Sequence, residues 1–313
     1  MAITFDPGLT QQYNGALKRA INQDGEFNVR RAGLTWRDFH PYLYMINVSW
    51  PVFIGIIVLV FVLANALFGW IYLTIGIEHL KGAEAPSLWS QYWNAFFFSA
   101  HTLTTVGYGN IYPSGPAANS VATTEALLGL LAFAIATGLV FGRFSRPSAR
   151  IGFSKTMLVA PYQGGRSLQF RIVNRRSNNL LDLDARLLLM TVESTEGRLQ
   201  RKFLDLELER PHVLFFPLTW TVVHPITENS PLYGKTAEDL EQLQAEVLIL
   251  IRAFDDTFGQ TVQVRSSYRY DEIVWGAKFA PAFEVESSGD LRLEVNKVGV
   301  FERVPLEDAR ALT

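Results

Sequence analysis

The sequence predicts an α+β membrane protein: two membrane-spanning helices with a re-entrant segment between them, followed by an antiparallel β-sandwich. Three observations predict it. Residues 51–77 form an uncharged apolar run, and residues 120–141 form a second, interrupted only by Glu125. Between them lies a short aromatic stretch ending in a Thr- and Gly-rich segment. Beyond Pro147 no apolar run of that length recurs, and short alternating or β-branched stretches separated by turn residues take over.

As a helix the first run would measure about 40 Å, enough to cross a hydrocarbon core of about 30 Å with some tilt. Trp50, Trp70 and Tyr72 accompany the first run and Phe141 and Phe144 the second, aromatic residues of the kind that sit at a membrane–water boundary. Lys and Arg give the orientation. Arg30, Arg31 and Arg37 precede the first span, Arg143, Arg146, Arg150 and Lys155 follow the second, and the connection carries only Lys81. The positive-inside rule then places both termini in the cytoplasm. Residues 1–31 are polar, so no signal peptide is expected. The 313 residues carry a net charge of −2 and no cysteine. The first argues against nucleic acid as a partner; the second excludes disulfides and thiolate chemistry.

Taken in order, residues 1–34 read as an irregular arm. Residues 35–45 mix aromatics with charge and suit a helix lying in the headgroup layer, with Pro41 either inside it or marking a break. A short turret follows the first span, with Glu78, His79, Lys81, Gly82 and Glu84. Residues 87–103 predict a helix capped by Ser87, too short to cross the bilayer, with Trp89, Tyr92, Trp93, Phe96, Phe97 and Phe98 wedging it among the spans. Irregular backbone at membrane depth is tolerated only where protein buries it or a wet cavity borders it. In the second span Phe133, Thr137 and Phe141 recur at four-residue spacing and share a face. Gly129, Gly138 and Gly142 offer close packing or bending. Strands are expected over 167–174, 182–192, 199–208, 213–218, 247–254, 261–268 and 291–296. Turns are expected at Gly164-Gly165, Glu196-Gly197 and Ser288-Gly289-Asp290, and a brief helical insert at 236–245 capped by Thr236.

The segment Thr104-Thr105-Val106-Gly107-Tyr108-Gly109 joins the short helix to the return loop. Carbonyls that all face one way require backbone that alternates through the left-handed region, and Gly107 and Gly109 adopt it without steric cost. Four such loops around an axis stack rings of oxygens that replace an ion's hydration shell, and this pentapeptide is the standard example of a potassium filter. The carbonyls of Thr105, Val106, Gly107 and Tyr108 are the expected potassium ligands, with the Thr105 hydroxyl below them. No cofactor is expected; potassium is the permeant ion.

With these features the sequence resembles the inward-rectifier potassium channels, most closely their bacterial members. Residues 139–147 (LVFGRFSRP) are similar to the end of that family's inner helix. Val223-His224-Pro225-Ile226, Ser230-Pro231-Leu232-Tyr233, Arg265-Ser266-Ser267-Tyr268 and Ile273-Val274-Trp275-Gly276 are similar to segments of its cytoplasmic domain. The likeness runs over roughly 35–285. It implies a homotetramer in the bacterial inner membrane, with an arm over 1–34, a slide helix and pore unit over 35–147, and an immunoglobulin-like sandwich over 148–313. It implies a gate at the inner-helix crossing, here Phe141 with Phe133 and Thr137 lining the pore and Gly138 as hinge. It further implies modulation by anionic lipids through Arg37, Arg143, Arg146, Arg150 and Lys155, inhibitory in bacterial relatives.

Three departures from the family shape the expectation. Phe133 stands where strong rectifiers place an acid, and Arg252 replaces another; only Asp182 retains a family acid of the cytoplasmic pore. Weak rectification follows. His101 stands where many relatives carry a glutamate that braces the filter, and is read either as a packing histidine or as a proton-sensitive one. The rival reading is a membrane-anchored ligand sensor or scaffold with a vestigial pore. An enzyme is not expected, since HExxH, GxSxG and GxxxxGK are all missing. An Arg-rich voltage-sensing span and a GxGxxG turn are missing too.

Overall fold

The computed structural model describes residues 7–9, 19–33, 35–147, 149–195 and 198–306. It divides into two compact units, Gly33–Arg146 and a second made of the residues up to Ala32 together with those from Pro147 onward.

The first unit is helical. A 3-10 turn at Trp36–Asp38 is followed by helix α1, Pro41–Asn47. Of the two readings of residues 35–45, Pro41 marks the break. His40 is extended because the ring of Pro41 disfavours helical backbone in the residue before it, and Pro41 then starts α1 where its missing N–H costs nothing. Helix α2, Trp50–Ile75, and helix α4, Pro116–Phe144, are the two long apolar helices, at 26 and 29 residues. Helix α2 starts one residue before its apolar run and stops two short of its end, while α4 extends beyond its run on both sides, by a full turn at its start. Only 17% and 11% of their apolar windows are buried by the chain, whereas the core helix of a soluble protein would be mostly covered.

Helix α3, Leu88–Leu103, lies between them. Ser87 caps it as expected, accepting the Ser90 N–H at 3.2 Å, while the Ser90 hydroxyl donates back to the Ser87 carbonyl. At about 24 Å it is shorter than the hydrocarbon core. Two glycines set its position. A Cβ at Gly69 of α2 would press on the Phe96 backbone at 3.2 Å, and one at Gly129 of α4 would fall on the Leu103 carbonyl. A two-residue ribbon, Leu80–Lys81 against Tyr112–Pro113, closes the base of the loop that contains α3. It is reinforced by Ser114 N–H donating to the His79 carbonyl at 2.8 Å.

The second unit is a β-sandwich of two five-stranded sheets. In the first, Gln260–Arg269, Glu246–Asp255, Leu180–Thr195 and Arg198–Asp205 are neighbours in that order, and His212–Phe215 also pairs with Leu180–Thr195. In the second the order is Ile273–Trp275, Met157–Tyr162, Gly165–Asn174 and Ile151–Phe153, with Thr219–Ile226 also on Gly165–Asn174. Phe170, Ile172, Leu183, Leu187, Val247, Ile249 and Tyr268 fill the space between them.

The sheets are antiparallel with one exception: Ile273–Trp275 runs parallel to Met157–Tyr162. Met157–Tyr162 and Thr219–Ile226 are strands outside the expected set; Pro161 and Pro225 each lie near a strand end, where proline is tolerated. The stretch expected as a strand to Asn296 ends at Leu293 and passes into a 3-10 turn, Val295–Lys297. The expected insert is helix α5, Ala237–Gln242, with Thr236 accepting the Asp239 N–H. The turn at Gly164 carries positive φ at Gln163 and Gly164, as does Gly289 in its turn. The expected turn at Glu196-Gly197 lies outside the described residues, as do 1–6, 10–18 and 34 of the N-terminal arm.

The described part of that arm belongs with the sandwich. Ile21 packs on Met190, Phe203 and Leu248 of the first sheet's outer face. The Glu246 carboxylate accepts the Ala20 N–H at 3.0 Å, and Arg19 forms an ion pair with Glu272.

His224 is buried, its Nδ1–H donating to the Glu207 carbonyl at 2.5 Å and its Nε2 accepting from the Ser230 hydroxyl at 2.8 Å. Burial holds it below its ordinary pKa of 6.5, against the smaller opposing effect of the Glu207 carbonyl. The unfolded chain therefore takes up the proton first, so stability falls as pH drops below about 6.5, by at most about 1.4 kcal/mol per unit. Thermal melts of detergent-solubilised protein at pH 7.5 and 5.5 should show a drop that His224→Gln reduces; an equal drop in both proteins would remove His224 as a cause.

Candidate functional site

Helix α3 delivers the chain into Thr104, the last residue with helical backbone. From there φ is positive at Thr105 (61°), Gly107 (53°) and Gly109 (80°), with negative φ at the residues between. The two glycines do what their chemistry allows. Thr105 is the surprise, a β-branched residue in a conformation such residues rarely hold. The turn is tied down by one acceptor: the His101 carbonyl takes the N–H of Val106 at 2.9 Å and that of Gly107 at 3.1 Å. The His101 ring stands edge-on to Tyr108, centroids 4.7 Å apart and planes at 88°. His101 thus braces the segment through packing and its own backbone. Among the described residues, no protein donor reaches the carbonyls of Thr105, Val106, Gly107 or Tyr108, and residues 104–110 are exposed. Four adjacent unclaimed acceptors at the C-terminal end of a helix, whose dipole places negative potential there, suit a cation better than an anion.

Behind the segment lies a cluster that the sequence reading passed over. Asn65 of α2, Ser99 of α3 and Glu125 of α4 are fully buried, and Tyr72 nearly so. Tyr72 donates its hydroxyl to Glu125 Oε2 at 2.7 Å, and Ser99 Oγ contacts both Glu125 Oε1 and, at 2.8 Å, Asn65 Oδ1. The available signal was Glu125 itself, since an ionisable residue inside a span needs a partner.

The expected pore-lining residues fall on an exposed stretch of α4: Phe133 and Phe141 are 73% and 71% exposed, with Thr137 and Gly138 exposed between them. A Cβ at Gly138 would meet nothing, so close packing within the chain does not explain that glycine. Gly142 does mark an approach, with a Cβ there 3.1 Å from the Tyr42 hydroxyl of α1.

The basic residues separate into different situations. The Arg143 guanidinium lies 4.6 Å from the ring centres of both Trp50 and Phe53 and donates to the carbonyls of Met45, Ile46 and Val48. It is occupied in joining the end of α4 to the end of α1. Arg146 reaches Asn47 Oδ1 but is exposed, and Arg37 is exposed in the same unit. Arg150 and Lys155 are exposed in the sandwich unit.

In that unit Asp182 and Asp184 project from the outer face of Leu180–Thr195, alternating with the buried Leu183 and Ala185. Asp182 has φ 55°, because here two residues, Asp182 and Leu183, oppose the single Ala253 in a β-bulge. His212 bridges the two acids, Nε2 at 3.4 Å from Asp182 and Nδ1 at 3.1 Å from Asp184. The two acids, with Arg252 and Leu214, border a cavity of about 460 Å³. The strand register places Asp184 and His212 beside the expected Asp182.

Comparison with known proteins agrees with this geometry. Residues 56–146 match the model described as an ion channel, and residues 151–312 the one described as the inward rectifier potassium channel C-terminal domain. The chain is 40% identical over 283 residues to the inward rectifier potassium channel Kirbac3.1 of Paramagnetospirillum magnetotacticum, covering 89% of this chain and 94% of that protein. It is 27% identical to the ATP-sensitive inward rectifier potassium channel 12 of Bos taurus, over 91% of this chain and 72% of that one, and 26% identical to its Homo sapiens counterpart. Two apolar helices around a re-entrant segment with a β-rich C-terminal domain define a pore-loop ion channel of the membrane. The chain belongs to the inward-rectifier potassium channel family, a family of channels and not of enzymes.

The Arg143 arrangement should be sensitive to shape as well as charge. Lys supplies one compact charge in place of a planar fork of donors. Arg143→Lys should therefore lower the melting temperature measurably and Arg143→Ala lower it further; melting curves of purified protein would check the order, and an unchanged melting temperature in both would refute it.

Proposed function

We propose that four copies of this chain assemble around the Thr105–Gly109 segment and pass potassium passively down its gradient. The observation that carries the reading is the alternating backbone of that segment with its four carbonyls unclaimed by any protein donor among the described residues. In a tetramer these oxygens form stacked rings that stand in for the water shell of the ion, and their number and field set the preference for potassium over sodium. Sodium binds its water more tightly and gains less from the exchange.

The gate is a ring of Phe141 side chains, where an apolar constriction empties of water and so stops ions without any charge. Phe133 makes a second apolar ring above it. With no acid at that level, internal cations find no site there and rectification is weak. Asp182 and Asp184 stand beside Arg252, so their charge is partly compensated. Both termini lie on the cytoplasmic side. Anionic lipid interacts with Arg37, Arg146, Arg150 and Lys155, each contributing about 1 kcal/mol near an anionic leaflet. Arg143 contributes less, its donors being directed at backbone carbonyls.

Purified protein in liposomes, assayed with dyes for each ion, should carry potassium in marked preference to sodium; equal fluxes would overturn the reading. Phe141→Ala should raise potassium flux several-fold without altering the ion preference, and unchanged flux would place the gate elsewhere. Adding phosphoinositide to the vesicles should change flux in the parent protein and change it less in the double variant Arg150→Gln, Lys155→Gln. A response of the same size in both would make those charges ordinary membrane anchors.

A further inference from the structure

The cluster at Glu125 contains more hydrogen-bond acceptors than protons, if every group is in its usual form. Asn65 donates its amide N–H to the Phe61 carbonyl at 2.7 Å, which fixes its oxygen as the atom facing Ser99. Ser99 Oγ therefore faces two acceptor oxygens, Asn65 Oδ1 and Glu125 Oε1. A hydroxyl has one proton to give. The other Glu125 oxygen already receives the Tyr72 hydroxyl. All four groups are shielded from water, where an unmade hydrogen bond or an unpaired carboxylate is costly. Among the described residues no basic side chain comes near to pair with it. One arrangement satisfies every atom: Tyr72 donates to Oε2, Oε1–H donates to Ser99 Oγ, and Ser99 donates to Asn65 Oδ1.

We propose that Glu125, held as an uncharged carboxylic acid, is a positioning residue for the ion-selective segment. It joins α4 to α3 through Ser99 and to α2 through Tyr72, and Ser99 passes the chain of hydrogen bonds on to Asn65. One turn further along α4, Gly129 receives the Leu103 carbonyl at a distance no side chain would permit. Glu125 and Gly129 thus fix α3 in position and depth along its last turn. Thr104 begins at that turn, and the His101 carbonyl within it holds Val106 and Gly107. A displacement of Ser99 is carried through a single rigid turn to the carbonyls that contact the ion. At such a site small errors matter, because discrimination depends on the arrangement of the oxygens.

The inference rests on the filter reading above, and the test separates the two. Full-length protein in liposomes would be compared as parent, Glu125→Gln, Glu125→Leu and Ser99→Ala, measuring the ratio of potassium to sodium flux and confirming assembly by size-exclusion elution. A parent protein that does not discriminate would overturn the filter reading itself. Given a selective parent, Glu125→Gln should keep the ratio, since its amide donates to Ser99 and its carbonyl accepts from Tyr72. Glu125→Leu and Ser99→Ala should reduce the ratio about tenfold, the equivalent of about 1.4 kcal/mol, while eluting as the parent does. A parental ratio in Glu125→Leu would overturn the positioning role. A loss in Glu125→Gln as large as in Glu125→Leu would overturn the uncharged form. Should Glu125→Leu fail to assemble, Ser99→Ala, which removes one oxygen from a helix that tolerates alanine, decides alone: a parental ratio there overturns the proposal.

Discussion

The membrane unit depends on holding non-helical backbone where water cannot be relied on to satisfy it. Residues 104–110 leave their carbonyls uncommitted, and a segment of that kind survives in a bilayer only if its surroundings fix it. The surroundings here are α3 and the two helices that grip it. Glycines at 69 and 129 let backbones touch, and a buried polar cluster locks the contact. The alternation of φ through Thr105, Gly107 and Gly109 is the outcome of that grip. A threonine in the left-handed region stores strain that the rest of the structure must outweigh.

The sandwich solves a different problem with ordinary means. One face of each sheet meets a continuous apolar core, and the other is free to carry charge. The alternation over residues 182–187 sends Asp182, Asp184 and Arg186 outward while Leu183, Ala185 and Leu187 go inward. A single bulge re-aims Asp182 and lets His212 sit between two acids. The N-terminal residues around Ile21 cover an apolar patch on the outer face of the first sheet, so the fold uses both ends of the chain to complete one unit.

Much of this was legible because local chemistry and global fold agree. Apolar runs of spanning length, Ser87 and Thr236 as caps, Gly107 and Gly109, and the alternation of most strands each follow from the residues themselves. What was not legible depends on partners distant in sequence. Nothing near Arg143 announces that its donors will be taken by the carbonyls ending α1; a basic residue beside a span reads as a membrane anchor. The bulge at Asp182 comes from the register against Ala253, and the parallel strand Ile273–Trp275 from a connection that local pattern does not encode. Glu125 was visible as an acid in an apolar run, but its meaning needed the three residues it touches.

The joint between α1 and α4 has a mechanical consequence. Arg143 is gripped by two rings and three carbonyls, and Gly142 lets α1 lie directly against α4. Helix α4 is thus clamped at two places, against α3 in its first half and against α1 at its last turn, with the exposed Phe133–Phe141 stretch between them. A beam held so cannot swing freely at its far end; it must carry α1 with it or bend between its supports. Gly138, with open space around it, lies in that unsupported length, so a force applied to α1 becomes torque on α4.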